Sequence, residues 1–296
     1  MFAAKLSKAI KEKNNPCVVG LDPTMEMMPE FLQKKYNVSV QKENIPQMFL
    51  EFNKNIIDSV ADLTPAIKVQ VAFYERYGLA GIEAFYETLK YCKEKDVLTI
   101  ADVKRGDIGS TALAYAEGLL QEPSIDSITV NPLFGTDGLT PFVDVAKKEG
   151  KGLFILLKTS NPSSAELQDL EVEGGQKVYH KISDIIATLD EDCKGEYSDM
   201  GVVVGATHPA QLAELRKKQK GFMLVPGYGA QGGSGKDIVD AFDDGGLGAV
   251  VNSSRGITSY YKKVKADEKD YAKFAKKSLE NMIKDINSAL AQKRGK

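Results

Sequence analysis

The chain has 296 residues, 43% of them hydrophobic, with 39 basic against 41 acidic side chains and a net charge of −2. A chain this long can bury a large core, and as a single domain over 1–296 it suits an α/β barrel. Charges of both signs are interspersed, which excludes the electrostatic footprint of a nucleic-acid or anionic-membrane binder, and no such partner is expected. Cys17, Cys92 and Cys193 have no CxxC spacing, and His180 and His208 lie far apart. The expectation is a reducing compartment, no disulfide frame and no metal site.

In chain order, Met1 to Asn15 carries Phe2, Leu6 and Ile10 at four-residue spacing, with lysines between them. That spacing predicts an amphipathic helix covering one end of the fold, without the apolar core of a signal peptide. No apolar run approaches the ~20 residues that span a bilayer, so a soluble, cytoplasmic protein is expected. Short apolar, β-branched runs then recur: 17–22, 66–70, 97–103, 127–131, 153–159, 201–206, 222–227 and 249–253. Segments with helical spacing separate them, among them Phe49, Phe52, Ile56 and Ile57, and a last one from Asp267 through Leu290.

Eight strand–helix alternations predict a (β/α)8 barrel. An open doubly wound sheet is the competing topology. It is disfavoured because Asp22-Pro23 follows the first strand where a dinucleotide fold would place its glycines. Two long connections, 23–47 and 161–200, leave from the C-terminal rim. They suit walls or lids of a site, and equally surface packing or subunit contacts.

The third strand carries the densest chemistry. Asp102 and Lys104, two apart, are expected on one face at its C-terminal end, with Asp107 in the turn beyond. Neighbouring carboxylates would keep the lysine protonated and aim its proton. The same residues also fit a structural ion pair and a helix cap. In a barrel, further polar groups converge there: Asp22, Lys68, Ser160 after strand five, Gln231 after strand seven and Arg255 after strand eight. Lys68, inside an apolar strand, also fits a side chain snorkelling to the rim. Pro226-Gly-Tyr-Gly-Ala-Gln-Gly-Gly-Ser-Gly235, paired with Arg255 in Val251-Asn-Ser-Ser-Arg-Gly256, reads as a phosphate cradle.

These motifs resemble the orotidine 5′-phosphate decarboxylase family. The strongest likeness is Ala101-Asp-Val-Lys-Arg-Gly-Asp-Ile108. It is joined in order by Gly20-Leu-Asp-Pro23, Ala66-Ile-Lys-Val69, Leu157-Lys-Thr-Ser-Asn-Pro162, Gly201-Val-Val-Val-Gly-Ala-Thr207, Val225-Pro-Gly-Tyr-Gly-Ala-Gln231 and Ser253-Ser-Arg-Gly256. The length and the two insertions look like the longer bacterial-type branch, while Gln70 stands where other branches carry Gly or Asn. The resemblance implies a cofactor-independent conversion of orotidine 5′-phosphate to UMP and CO2. In it Lys104 would protonate C6, Asp102 would sit beside the substrate carboxylate, and Asp22 and Lys68 would hold ribose hydroxyls. Ser160 would bind the pyrimidine edge and Gln231 and Arg255 the phosphate, with Pro226 lining the pocket and Ser254 also among the substrate-binding residues. Asp107 and Thr111 would cross a homodimer interface into the neighbouring site.

Two other readings differ in class. A magnesium-dependent sugar-phosphate decarboxylase or aldolase of the same barrel superfamily would want a carboxylate on strand two, where Lys68 stands. A non-catalytic nucleotide-monophosphate-binding barrel would need only the glycine-rich loop and Arg255.

Overall fold

The computed structural model describes residues 1–206, 209–229 and 233–295. Eight parallel strands close into a barrel in sequential order: β1 (Cys17–Leu21), β2 (Ala66–Gln70), β3 (Leu98–Arg105), β4 (Ser127–Val130), β5 (Gly152–Lys158), β6 (Ser198–Val204), β7 (Gly221–Pro226) and β8 (Ala249–Ser253). β8 pairs back onto β1 with Val18 opposite Asn252. The closed ring decides against the open sheet, since no strand is left with an unpaired edge.

Two cores result. The larger packs the outer faces of the strands against helices such as Ile45–Val60, Gly78–Glu94 and Tyr271–Arg294. The smaller fills the barrel interior with Ile100, Phe154, Val203, Phe222 and Leu224, and the N-terminal helix Phe2–Lys13 plugs its lower end with Phe2, Leu6 and Ile10. Phe2 meets Phe154 edge-on, with ring centroids 5.9 Å apart. The apolar spacing read from the sequence is therefore a stopper, and it forces any ligand to enter from the opposite, C-terminal rim.

Both long connections are packed. The first carries helix Glu30–Lys35, whose first N–H groups, from Glu30 and Phe31, donate to the Glu268 carboxylate at 2.7 and 3.0 Å. The second is shorter than expected. Residues 178–189 form the ordinary helix after β5 and β6 begins at Ser198, so the insertion proper is 161–177. Lys158, fully buried, ties it down through Asp169 at 3.0 Å, and Gln168 exchanges hydrogen bonds with Thr159.

Candidate active site

The first three strands end in an alternating chain of charge. Lys68 Nζ lies 2.9 Å from Asp102 Oδ2 and 3.4 Å from Asp22 Oδ1, and Lys104 Nζ lies 2.5 Å from Asp102 Oδ1. Asp102 thus sits between two ammonium groups. Burial alone would raise its carboxyl pKa, but the charges of Lys68 and Lys104 outweigh that and hold it well below the usual carboxylate range. Burial likewise pulls Lys68 down, and Asp102 with Asp22 pushes it net upward. Lys68 and Asp102 both stay ionised near neutral pH, because each compensates the desolvation of the other.

How Lys104 reaches this position differs from the simple alternation expected. Pairing of β3 with β4 slips between Ala101 and Arg105, which stand opposite Ile128 and Val130, so β3 spends two extra residues there. Lys104 sits in that bulge with φ +46°, a left-handed conformation costing about 1–3 kcal/mol for a non-glycine residue. Thr129 offsets that cost. Its hydroxyl oxygen accepts the Lys104 N–H at 2.9 Å, and its O–H donates to Asp102 Oδ1 at 2.9 Å. One β4 side chain therefore fixes both ends of the Asp102–Lys104 pair. Thr129 carries no sequence signal for this role beyond a hydroxyl within the buried run 127–131.

Lys68 and Asp102 side chains are 6% and 9% exposed, against 45% for Lys104. The buried pair anchors the site and leaves the Lys104 ammonium facing open space. That space is a cavity of about 480 Å³, lined by Asp22, Lys68, Asp102, Lys104, Ser160 and Arg255 among others. Leu156, Val203 and Leu224 form its apolar floor.

On the far wall, Pro226, Ser254 and Arg255 line the same cavity. Gly20 has no room for a side chain, because a Cβ there would stand 2.0 Å from Ser254 Oγ. That close approach brings the β8 end against β1. Arg255 is exposed, and no hydrogen bond or ion pair ties up its guanidinium among the described residues. Ser160 reaches the rim beside Gly205, where a Cβ would stand 2.7 Å from its own Cβ. Tyr228 and Asn252 also line the cavity without having been anticipated. Gln231, expected on the phosphate, lies outside the described residues, as does His208.

Asp107 does not join the charged chain. Its carboxylate accepts its neighbour's N–H, from Ile108, at 2.8 Å, and it lies outside the cavity. Among the described residues of one chain, Asp102 is the only carboxylate paired with the Lys104 amine, which corrects the idea that both carboxylates flank it. Thr111 is exposed on helix Gly109–Leu120, whose surface also shows Leu113 and Tyr115, with Ile108 and Phe134 nearby in sequence or space exposed as well.

Fold and site together define a (β/α)8-barrel protein with a preformed, charged cavity at the C-terminal rim. The chain belongs to the orotidine 5′-phosphate decarboxylase / HUMPS family, whose model matches residues 15–269. It is 40% identical to an orotidine 5′-phosphate decarboxylase of Clostridium acetobutylicum, over 98% of this chain and 100% of the relative. It is 39% identical to that of Petrotoga mobilis, over 97% and 99%. Among solved structures, Leishmania donovani OMP decarboxylase superimposes with a TM-score of 0.73 at 29% identity, covering 95% of this chain and 98% of the other. Leishmania donovani UMP synthase gives 0.76 at 29%, and this chain spans about half of that one, 56%, while 97% of this chain is covered.

Proposed function

We propose that this chain is a carboxy-lyase that converts orotidine 5′-phosphate to UMP and CO2, the closing step of UMP synthesis, with its own side chains and no metal or coenzyme. The observation that carries the reading is the ammonium of Lys104, held by a buried carboxylate and turned toward an otherwise apolar-floored cavity. Breaking the C6–carboxylate bond leaves its electron pair in an sp2 orbital that the ring cannot delocalise. A fixed cation where that charge develops lowers the barrier, and transfer of its proton to C6 completes UMP. The neutral amine then regains a proton from solvent.

In this reading Asp102 keeps Lys104 in place and faces the substrate carboxylate, while Asp22 and Lys68 hold the ribose. Ser160 takes the pyrimidine edge. Arg255, Ser254 and Gln231 take the phosphate, with Pro226 on the wall. Free guanidinium forks suit phosphate, and binding energy gathered there can be used at C6. A single decarboxylase domain over 1–296, acting in the cytoplasm, belongs to the same proposal. No described helix is long and apolar enough to cross a membrane. The magnesium-dependent alternative is disfavoured because the carboxylates of Asp22 and Asp102 are both engaged by Lys68.

The direct test is to follow the absorbance of orotidine 5′-phosphate with the purified protein, with and without EDTA. Turnover unaffected by the chelator is expected; turnover that disappears with it would favour the metal-dependent class. Arg255→Ala should raise KM by about a hundredfold with a smaller fall in kcat, since charge-assisted bonds to phosphate are the strong ones.

A homodimer completes the proposal, with Asp107 and Thr111 entering the neighbouring site. The exposed apolar side chains around them, Ile108, Leu113, Tyr115 and Phe134, support a covered face. Lys104→Ala and Asp107→Ala subunits, each poorly active alone, should regain part of the activity when mixed. Mixtures no better than their components would remove Asp107 from the shared site.

A further inference from the structure

The C-terminal helix Tyr271–Arg294 begins beyond residue 269, where the match to the family model ends, and nothing in the mechanism above uses it. One of its side chains nevertheless touches both ends of the connection between β7 and the next helical turn. Asp285 Oδ2 accepts the Tyr228 O–H at 2.7 Å and the Gly235 N–H at 2.8 Å. Gly235 must be glycine for this approach, since a Cβ there would stand 2.9 Å from the Asp285 carbonyl oxygen. Tyr228, in turn, lines the substrate cavity alongside Arg255.

The two ends are also bound to each other. Gly229 N–H donates to the Gly233 carbonyl at 3.0 Å, and Tyr228 and Gly233 form an isolated bridge. Ser234 and Asp237 close a capping box that fixes where Gly235–Ile238 starts. Burial, with the Asp285 carboxylate second, pushes the Tyr228 phenol above its ordinary range, so it stays a donor at neutral pH.

We propose that Asp285 is a positioning residue for phosphate recognition: one carboxylate on the C-terminal helix pins Tyr228 and Gly235, and so presets the phosphate wall of the cavity. This rests on the assignment of 226–235 to the substrate phosphate. Pinning both ends lowers the conformational entropy that phosphate binding has to remove, and releasing either end enlarges that cost. Asp285 itself stands outside the cavity, on the far side of Tyr228, so its effect passes through the chain it holds.

The signature is selective. Loss of the clamp should weaken ligands that carry the 5′-phosphate and spare those that lack it. The experiment measures UMP and uridine binding by calorimetry for the wild type, Asp285→Asn, Asp285→Ala and Tyr228→Phe/Asp285→Asn, with thermal unfolding as the check on folding. Asp285→Asn should weaken UMP about five- to tenfold, the scale of one ordinary hydrogen bond since the amide oxygen can still accept, and leave uridine unchanged. In turnover the same variant should raise KM with kcat nearly constant, and adding Tyr228→Phe should cost little more, because both changes cut one contact. Equal weakening of UMP and uridine, or no change in either, would overturn the proposal. Absence of turnover in the wild type would instead overturn the decarboxylase reading, while the UMP-to-uridine ratio would still decide the role of Asp285.

Discussion

Lys104→Ala is expected to abolish turnover, by about 10⁴-fold or more, while leaving UMP affinity within a few-fold of wild type. Two effects are lost together: a cation where negative charge develops, and the proton that quenches it. Neither is called on when UMP binds, because its C6 already carries hydrogen. The loss should therefore appear in kcat and not in product affinity, the pattern of an interaction made in the transition state. Stability should change little, since the Lys104 side chain is 45% exposed and Asp102 keeps Lys68 and Thr129. Single-turnover kinetics with UMP calorimetry decides this. Undiminished turnover in the variant would remove the mechanism, and a loss confined to UMP binding would make Lys104 a binding residue only.

Lys68→Met should have the second largest effect, and on stability as well as rate. Lys68 is almost fully buried and bridges two carboxylates, so its removal leaves Asp102 desolvated with one ammonium in place of two. Breaking a buried pair from one side costs about 3–5 kcal/mol, and the remaining Lys104 contact puts the expectation at the lower end. The pH dependence has a definite sign. A carboxyl held below its unfolded value of about 3.9 contributes stability above that pH and loses it as pH falls through the folded pKa. In the wild type that loss lies in strong acid. In Lys68→Met the Asp102 pKa rises as burial gains weight, so the acid unfolding midpoint should move to higher pH. Lys68, raised in the folded state, loses its contribution only as pH climbs through an already alkaline range. Neither group should produce a limb in the pH–rate profile between about pH 5 and 9. Urea unfolding across pH tests this, and an unchanged acid midpoint in the variant would show that Lys68 does not hold the Asp102 charge.

Much of this was legible in the chain. The strand–helix alternation carries the barrel, because a parallel sheet buried on both faces demands short apolar strands and amphipathic crossovers. Asp22, Lys68 and Asp102 could be placed at one rim for the same reason: polar side chains at the ends of such strands have nowhere else to point. The spacing of Phe2, Leu6 and Ile10 announced a helix covering one end, though not that it would plug the barrel interior.

Other features depend on contacts between residues far apart in sequence. Thr129 bridging Asp102 and Lys104, the β3 bulge that turns Lys104 inward, and Asp285 reaching back across 57 positions to Tyr228 leave no local pattern to read. Which groups carry charge and which end of the barrel receives them can be read along the chain, because side-chain chemistry and hydrophobic period are properties of short stretches. Which carboxylate faces which amine, and that Asp107 stands apart from Lys104 within its own chain, emerge from the folded chain. Those pairings follow from barrel closure and strand register, which are fixed by the packing of the whole chain.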